Sequence, residues 1–167
     1  MLLLIITKRR IMKKIISIFI LAIILVSCAL ESEFGLPNNS KTDKKLMGKW
    51  YNKDKNGVLI FDKNKDNTFS ISIIDNEGKK NIISKHAYTT TINKFKIINL
   101  TDKTKDGKII NMFYGYSLSK NIFKFREVNS NGDNKKFKTK EELLAYFKAN
   151  IDKHDFFNDW EEPLYKE

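Results

Sequence analysis

Two acid-rich segments of the sequence suggest calcium binding at first sight. The run Asp62-Lys63-Asn64-Lys65-Asp66 starts like a twelve-residue calcium loop, which needs glycine at its sixth position and a bidentate glutamate at its twelfth. Those positions hold Asn67 and Ile73, and the segment that begins at Asp102 has Phe113 in place of the glutamate. Because both segments lack the terminal carboxylate, we expect turns between strands and no metal site.

The sequence offers no set of residues suited to catalysis. Its two histidines, His86 and His154, fall in different predicted elements, and its one cysteine, Cys28, ends an apolar leader. There is no Cys-His pair, no histidine cluster, no Gly-x-Ser-x-Gly turn and no glycine-rich phosphate loop. The acid pairs Glu141-Glu142 and Glu161-Glu162 are adjacent, and adjacent residues on a helix point apart. We therefore expect neither an enzyme nor a cofactor.

The leader has the parts of a bacterial secretory signal. Lys13 and Lys14 precede an apolar run from Ile15 to Val26, and Leu25, Val26 and Ser27 stand directly before Cys28. Leu-Val-Ser-Cys resembles the lipobox of bacterial lipoproteins. The resemblance implies that residues 1–27 are a signal peptide, with translation starting at Met12. It also implies that Cys28 becomes the mature N-terminus and carries thioether-linked diacylglycerol, with palmitate among its acyl chains.

A transmembrane helix ending in a buried cysteine is the alternative for this leader. The apolar run is short for that purpose, because a membrane span needs about 20 residues, and an exported cysteine usually pairs with another. Ala29 and Leu30 follow Cys28, so no acidic retention signal is present and we expect an outer-membrane or cell-surface location. The leader and the rich content of Lys, Asn and Ile resemble small lipoproteins of Borrelia-type spirochaetes.

The charge of the chain argues against a nucleic-acid partner. The chain has 31 Lys and Arg against 20 Asp and Glu, and five of the basic residues lie in 1–27, so the mature part is only mildly basic. Arginine occurs only at Arg9, Arg10 and Arg126. Base recognition depends largely on arginine, so this dispersed lysine excess does not predict nucleic-acid binding.

Residues 46–138 have the pattern of an antiparallel β-domain. Seven short β-rich runs are separated by turn-forming Asn, Asp, Gly and Lys, and in several of them apolar residues alternate with polar ones. This spacing predicts an antiparallel meander, which we expect to close as a small up-and-down barrel. The preceding segment 28–45 contains Gly35, Pro37 and several Asn, Ser and Lys, and predicts a lipidated flexible tether. The runs are Met47–Tyr51, Val58–Asp62, Thr68–Ile74, Asn81–Thr91, Phe95–Leu100, Ile109–Ser119 and Asn121–Val128.

The first predicted strand carries a family resemblance. Gly48-Lys49-Trp50-Tyr51 resembles the Gly-x-Trp motif that opens lipocalins and lipocalin-like barrels. The resemblance implies that Trp50 closes the barrel floor, that Gly48 permits close backbone approach, and that an arginine packs on the tryptophan. Arg126 is the one candidate for that arginine, and seven strands are one fewer than in full lipocalins. The alternative is that Trp50 is an ordinary core aromatic of a small β-domain.

The last part of the chain, 139–167, predicts one helix and an aromatic tail. Thr139 and Glu142 form a capping-box pattern, and Leu143, Phe147 and Ile151 then recur every four residues as an apolar stripe. Phe156, Phe157 and Trp160 follow the helix. These aromatics either seal the domain, which we favour, or form an exposed patch for a partner. The fold predicted from the sequence is thus mainly β, with one C-terminal helix.

Two functions fit this organisation. The first is a lipid-anchored surface binding module for another macromolecule, such as a host or envelope protein or an acidic glycan, which a lysine-rich surface would attract. The second is a lipocalin-like carrier of a small apolar ligand in the barrel cavity. A structural role in envelope assembly is a third reading. The residues expected to line the cavity are Phe69, Ile71, Ile73, Met112, Tyr114, Tyr116, Phe123 and Phe125.

Overall fold

The computed structural model describes residues 29–130 and 135–167, so the leader and Cys28 lie outside the described residues. This part of the chain has nine strands and one helix, and no described helix is long and apolar enough to span a membrane. The mainly β fold with a single C-terminal helix is as predicted. The strands are β1 (Glu31–Ser32), β2 (Gly48–Tyr51), β3 (Val58–Lys63), β4 (Phe69–Ile74), β5 (Lys80–Ile92), β6 (Phe95–Lys103), β7 (Ile109–Ser119), β8 (Ile122–Glu127) and β9 (Leu164–Tyr165), and the helix is α1 (Lys140–Asn150).

Strands β2 to β9 close into an antiparallel barrel of eight strands. Strands β2 to β8 are the seven predicted ones, and each pairs with the next along the chain. An odd number of up-and-down strands leaves the first and last running in the same direction, so they cannot form an antiparallel pair. The C-terminal strand β9 lies between them, because Tyr165 pairs with both Tyr51 of β2 and Ile122 of β8. The eighth strand therefore comes from the predicted aromatic tail.

The barrel has two distinct ends. At the end that we call the floor, the chain enters β2 and the turns 64–68, 93–94 and 120–121 join the strands. At the opposite end, which we call the mouth, the turns are 52–57, 75–79 and 104–108.

Alternation along the strands divides the apolar residues between two cores. On β6, Ile98 and Leu100 face the barrel interior, while Ile97 belongs to an outer cluster. On β7, Tyr116 faces inward and Phe113 outward. The barrel wall is therefore buried on both faces where the outer cluster covers it.

Helix α1 and the residues after it form most of the outer layer. Leu143, Phe147 and Ile151, the predicted stripe, are all buried against the barrel wall. The Phe147 ring lies edge-on to Phe113 at 5.1 Å between centroids. Gly115 leaves room for the Phe157 ring, since a Cβ there would lie 2.7 Å from the Phe157 Cε1 atom.

The helix start is capped by two side chains. Thr139 Oγ1 accepts a hydrogen bond from Glu142 N at 3.2 Å, as the capping-box pattern predicts. The Glu142 carboxylate, however, accepts from Lys138 N at 2.8 Å, one residue earlier than that pattern requires. The bond to Thr139 satisfies a backbone donor that the first helical turn leaves free, and the bond to Glu142 fixes the chain just before the N-cap.

The segment 29–45 differs from the flexible tether that its composition predicts. Leu30 and Leu36 are buried in the outer cluster, and β1 pairs with β7. Asn99 Oδ1 accepts a hydrogen bond from Leu36 N at 3.0 Å, and Tyr88 OH donates to Leu36 O at 2.6 Å. Polar side chains on the outer faces of β5 and β6 thus hold this segment against the wall, which a reading of local composition misses.

Trp50 lies buried at the floor end, but the cation beside its ring is Lys166 and not the expected Arg126. Trp50 is fully buried and its Nε1 donates to Leu46 O at 2.8 Å. The Lys166 ammonium lies 5.1 Å from the Trp50 ring centroid and donates to Lys45 O and Met47 O. Gly48, with φ of +111°, permits this approach, because an added Cβ would be 3.3 Å from the Lys166 Cε atom. Arg126 instead points outward.

We expect Leu36→Ala to lower the free energy of unfolding by about 2–4 kcal/mol, the usual cost of truncating a fully buried leucine. Urea denaturation followed by circular dichroism measures this. Lys41→Ala, an exposed change in the same segment, should have little effect. Equal, small effects of both changes would mean that the segment is a loose tether.

Replacing Lys166 by methionine keeps the aliphatic stem but removes the ammonium over Trp50. We expect a loss of about 1–2 kcal/mol of stability from the missing charged hydrogen bonds and the cation–π contact. Lys148→Met, on the exposed face of α1, is the matched control. Urea midpoints that fall equally for the two variants would contradict a specific role of Lys166 in closing the floor.

Candidate functional site

Exposure of the inward-facing side chains changes along the barrel axis. Near the floor, Trp50, Phe61, Phe69 and Phe123 are buried and their rings contact one another at 5.4–5.8 Å between centroids. Leu100 is buried toward the mouth and Leu118 is half-buried near the floor, but the other inward-facing apolar residues toward the mouth are half-buried. These residues are Leu59, Ile83, Met112 and Phe125 in the inner cluster, and Ile73, which pairs with Leu59. Aromatic rings therefore fill the interior near the floor, and the side chains toward the mouth are mostly less buried.

The residues predicted to line a cavity all lie on the interior face, but at different depths. Phe69, Ile71, Tyr116 and Phe123 are buried nearer the floor. The other four, Ile73, Met112, Tyr114 and Phe125, are half-buried nearer the mouth. Only this second group is placed to contact a ligand.

Polar groups stand among these apolar residues at the mouth. Tyr114 pairs with Glu127 across β7 and β8, and Met112 pairs with Glu31, so both carboxylates lie on the interior face. Burial, together with the charges of Glu127, Glu31 and Glu161, raises the pKa of Tyr114 well above its usual range. No ion pair is recorded for these three glutamates among the residues that the structure describes.

Glu127 and one further interior residue, Thr89, are polar and buried. Glu127 is 8 % exposed, and its carboxylate accepts one long hydrogen bond, 3.4 Å, from Asn158 Nδ2. Thr89 is 2 % exposed and pairs with Ile98, whose other neighbour is Tyr114. Its Oγ1 has no hydrogen-bond partner within the described ranges. A buried hydroxyl without a partner costs free energy that a bound polar group would recover.

Sequence reasoning did not select these polar groups. Glu31 lies in the predicted tether and Glu161 in an acid pair interpreted as solvated. Glu127 could have been found, because it continues the two-residue period of Phe123 and Phe125. The other two reach the mouth only through long-range pairing, which the local pattern does not contain.

A second concave surface lies outside the barrel, between the N-terminal segment and the start of α1. This groove has a volume of about 540 Å³ and combines apolar residues such as Leu36, Ile109 and Leu144 with polar ones such as Asn111 and Lys140. Beside it, Asn99 Nδ2 donates to Asn111 Oδ1 at 2.9 Å, and burial raises the pKa of Tyr88 to about 12.

The segments first considered for metal binding are turns. The run Asp62–Asp66 spans the end of β3 and the turn that follows it, and 104–107 forms the turn between β6 and β7. His86 and His154 are exposed and lie in separate elements. Residues 29–130 and 135–167 contain no group of three or more His, Cys, Asp or Glu side chains that could hold a metal ion.

Phe156 and Phe157 are buried in the outer cluster, so these two aromatics seal the domain as favoured from the sequence. Trp160 is 43 % exposed. Arg126 lies between Phe157 and Trp160. Its guanidinium carbon is 4.1 Å from the Phe157 ring centroid and 4.3 Å from the Trp160 ring centroid.

Comparison of the chain with protein-family models, with curated proteins and with solved structures finds no match.

Burial and the charge of Glu127 raise the pKa of Glu161 above its ordinary value of 4.5. The stability given by protonated Glu161 is fully present below that value and is lost as pH rises through the raised folded-state pKa. We therefore expect Glu161→Gln to become increasingly stabilising, relative to the natural chain, over this rise in pH. Urea midpoints measured across the acid range test this. Glu162→Gln, at the exposed neighbour, should follow the natural chain, and identical behaviour of both variants would refute the effect.

Proposed function

We propose that this protein is a lipid-anchored, non-enzymatic binding protein of the cell envelope that takes a small amphiphilic ligand at the barrel mouth. The observation that carries the proposal is the group of half-buried apolar residues at the mouth of a barrel whose floor is filled by aromatic rings. Small barrels commonly hold one ligand in such a space, as lipocalins do. The anchor in this proposal is lipid on Cys28, at the outer membrane or cell surface.

The mouth favours a particular kind of ligand. Met112, Ile73 and Phe125 would contact an apolar chain, and the packed floor limits how deep that chain can enter. Its polar head would meet the Tyr114 hydroxyl and the carboxylates of Glu31, Glu127 and Glu161. Unpaired carboxylates repel an anion and attract a cation, so an amine head is preferred over an acid head.

Titration of the chain produced without residues 1–27 tests this function. We expect dodecylamine to bind more tightly than dodecanoic acid, as measured by native mass spectrometry or calorimetry. Met112→Trp, which fills the mouth, should weaken dodecylamine binding by about tenfold or more, or about 1.4 kcal/mol. Leu144→Arg, in the outer groove, should leave it unchanged. Binding of neither compound, or equal loss in both variants, would reject the barrel mouth as the site.

A macromolecular partner is the second candidate, and the outer groove is the observation that favours it. Its volume of about 540 Å³ is large enough for several side chains of an extended segment, and Ile109 at its edge is 49 % exposed. Leu144→Arg separates the two functions, since it should abolish binding at the groove and spare binding at the mouth.

A further inference from the structure

The site of lipid attachment and the barrel wall are separated by a single peptide bond. Ala29 forms a β-bridge with Asn129, and Leu30 N donates to Val128 O at 2.9 Å. Leu30 is 1 % exposed in the outer cluster. Consecutive Cα atoms are 3.8 Å apart, so a lipid on Cys28 is tied to the wall without any spacer.

This attachment point lies at the mouth end of the barrel. β8 begins at the floor with Ile122 and ends at the mouth with Glu127, two residues before Asn129. Ile122 is seven residues from Asn129, or roughly 23 Å along an extended chain. The floor end of β8 is therefore much farther from the lipid than the mouth end.

The surface beside the attachment point suits a lipid headgroup layer. Trp160 is 43 % exposed, and its ring lies over the guanidinium of Arg126. Arg126 is three residues before Asn129 in the chain. Ile109, 49 % exposed, begins β7 at the mouth. Tryptophan is enriched at the membrane–water interface because its ring is apolar and its N–H is polar.

We propose that the barrel lies directly on the membrane, with its mouth and Trp160 against the lipid headgroups. This inference rests on the proposed acylation of Cys28. The tether predicted from the sequence would hold the domain away from the bilayer. In the orientation proposed here, the ligand site faces the lipid directly. An amphiphilic ligand then passes between bilayer and barrel with little exposure to water.

The two tryptophans test this orientation, because Trp50 is buried at the floor and Trp160 is exposed near the mouth. The acylated mature protein is placed in vesicles of phosphatidylethanolamine and phosphatidylglycerol, with and without a lipid that carries a nitroxide quencher on its headgroup. We expect the nitroxide lipid to reduce the emission of Trp160 several-fold more than that of Trp50. The variant Trp160→Phe gives the emission of Trp50 alone. A Gly-Ser spacer of about 12 residues between Cys28 and Ala29, with an r.m.s. reach of roughly 20 Å, should abolish the difference.

A pair of labelled variants gives an independent measure. Asn76→Cys places a dye in the exposed mouth turn 75–79, and Asn121→Cys places it in the exposed floor turn. The lipid occupies the thiol of Cys28, so each variant has one reactive cysteine. We expect the nitroxide lipid to quench the dye more strongly at position 76 than at 121.

Equal quenching at the two positions, or Trp160 emission that is the same with and without the spacer, overturns the proposed orientation. The mass of the mature protein is a separate readout: an acylated chain with equal quenching rejects the orientation alone. A chain without lipid rejects the anchor. Dodecylamine binding at the mouth is measured independently of both.

Discussion

The odd number of strands in the meander is the constraint on which the rest of this structure depends. Seven strands in an up-and-down meander leave β2 and β8 parallel, with unpaired edges that face one another. An open edge of this kind exposes backbone donors and acceptors and invites aggregation. The tail satisfies both edges at once: Glu161 N donates to Phe125 O, Lys166 N to Asn121 O, and β9 pairs on both sides. Closing the barrel therefore requires the last residues of the chain, and the Lys166–Trp50 contact is the point at which they meet the floor.

The same requirement explains the outer layer. To reach β9, the chain must cross from α1 and run back along β8, and in doing so it places Phe156 and Phe157 against the wall. The N-terminal segment covers the neighbouring outer faces of β5 to β7 through Leu36 and β1. Two clusters thus share one wall, which lets a small barrel bury more apolar surface than its interior alone could hold.

Local pattern predicted the strands and the helix because those elements depend on neighbours in sequence. The alternation of Phe69 and Ile71 with serines, and the four-residue spacing of Leu143, Phe147 and Ile151, contain enough information by themselves. The contacts that escaped prediction connect residues far apart. Lys166 reaches Met47, and Leu36 reaches Asn99, over separations that no period reveals.

The failure over the predicted tether shows a further limit of composition. Residues 29–45 contain few apolar side chains, yet Leu30 and Leu36 are enough to fix them, because Asn99, Tyr88 and Thr90 already offer polar partners on the wall. A segment poor in apolar residues is expected to stay disordered only when its backbone has no better partner than water. The polar outer face of β5 and β6 supplies that partner, and it is encoded more than fifty residues away.

Strand β8 is where barrel closure, the proposed ligand site and the proposed anchor converge. Its inner face contributes Phe125 and Glu127 to the mouth, and its outer face carries Arg126 under Trp160. Asn129, two residues beyond the end of β8, forms a β-bridge with Ala29. In addition, Leu30 N donates to Val128 O, so the residue that follows the proposed lipid site is held to the chain that continues from β8. Glu127, the last residue of β8, is two residues before Asn129. Under the proposed acylation, the membrane attachment would therefore be connected through backbone hydrogen bonds to the strand that carries Glu127, whose partner on β7 is Tyr114.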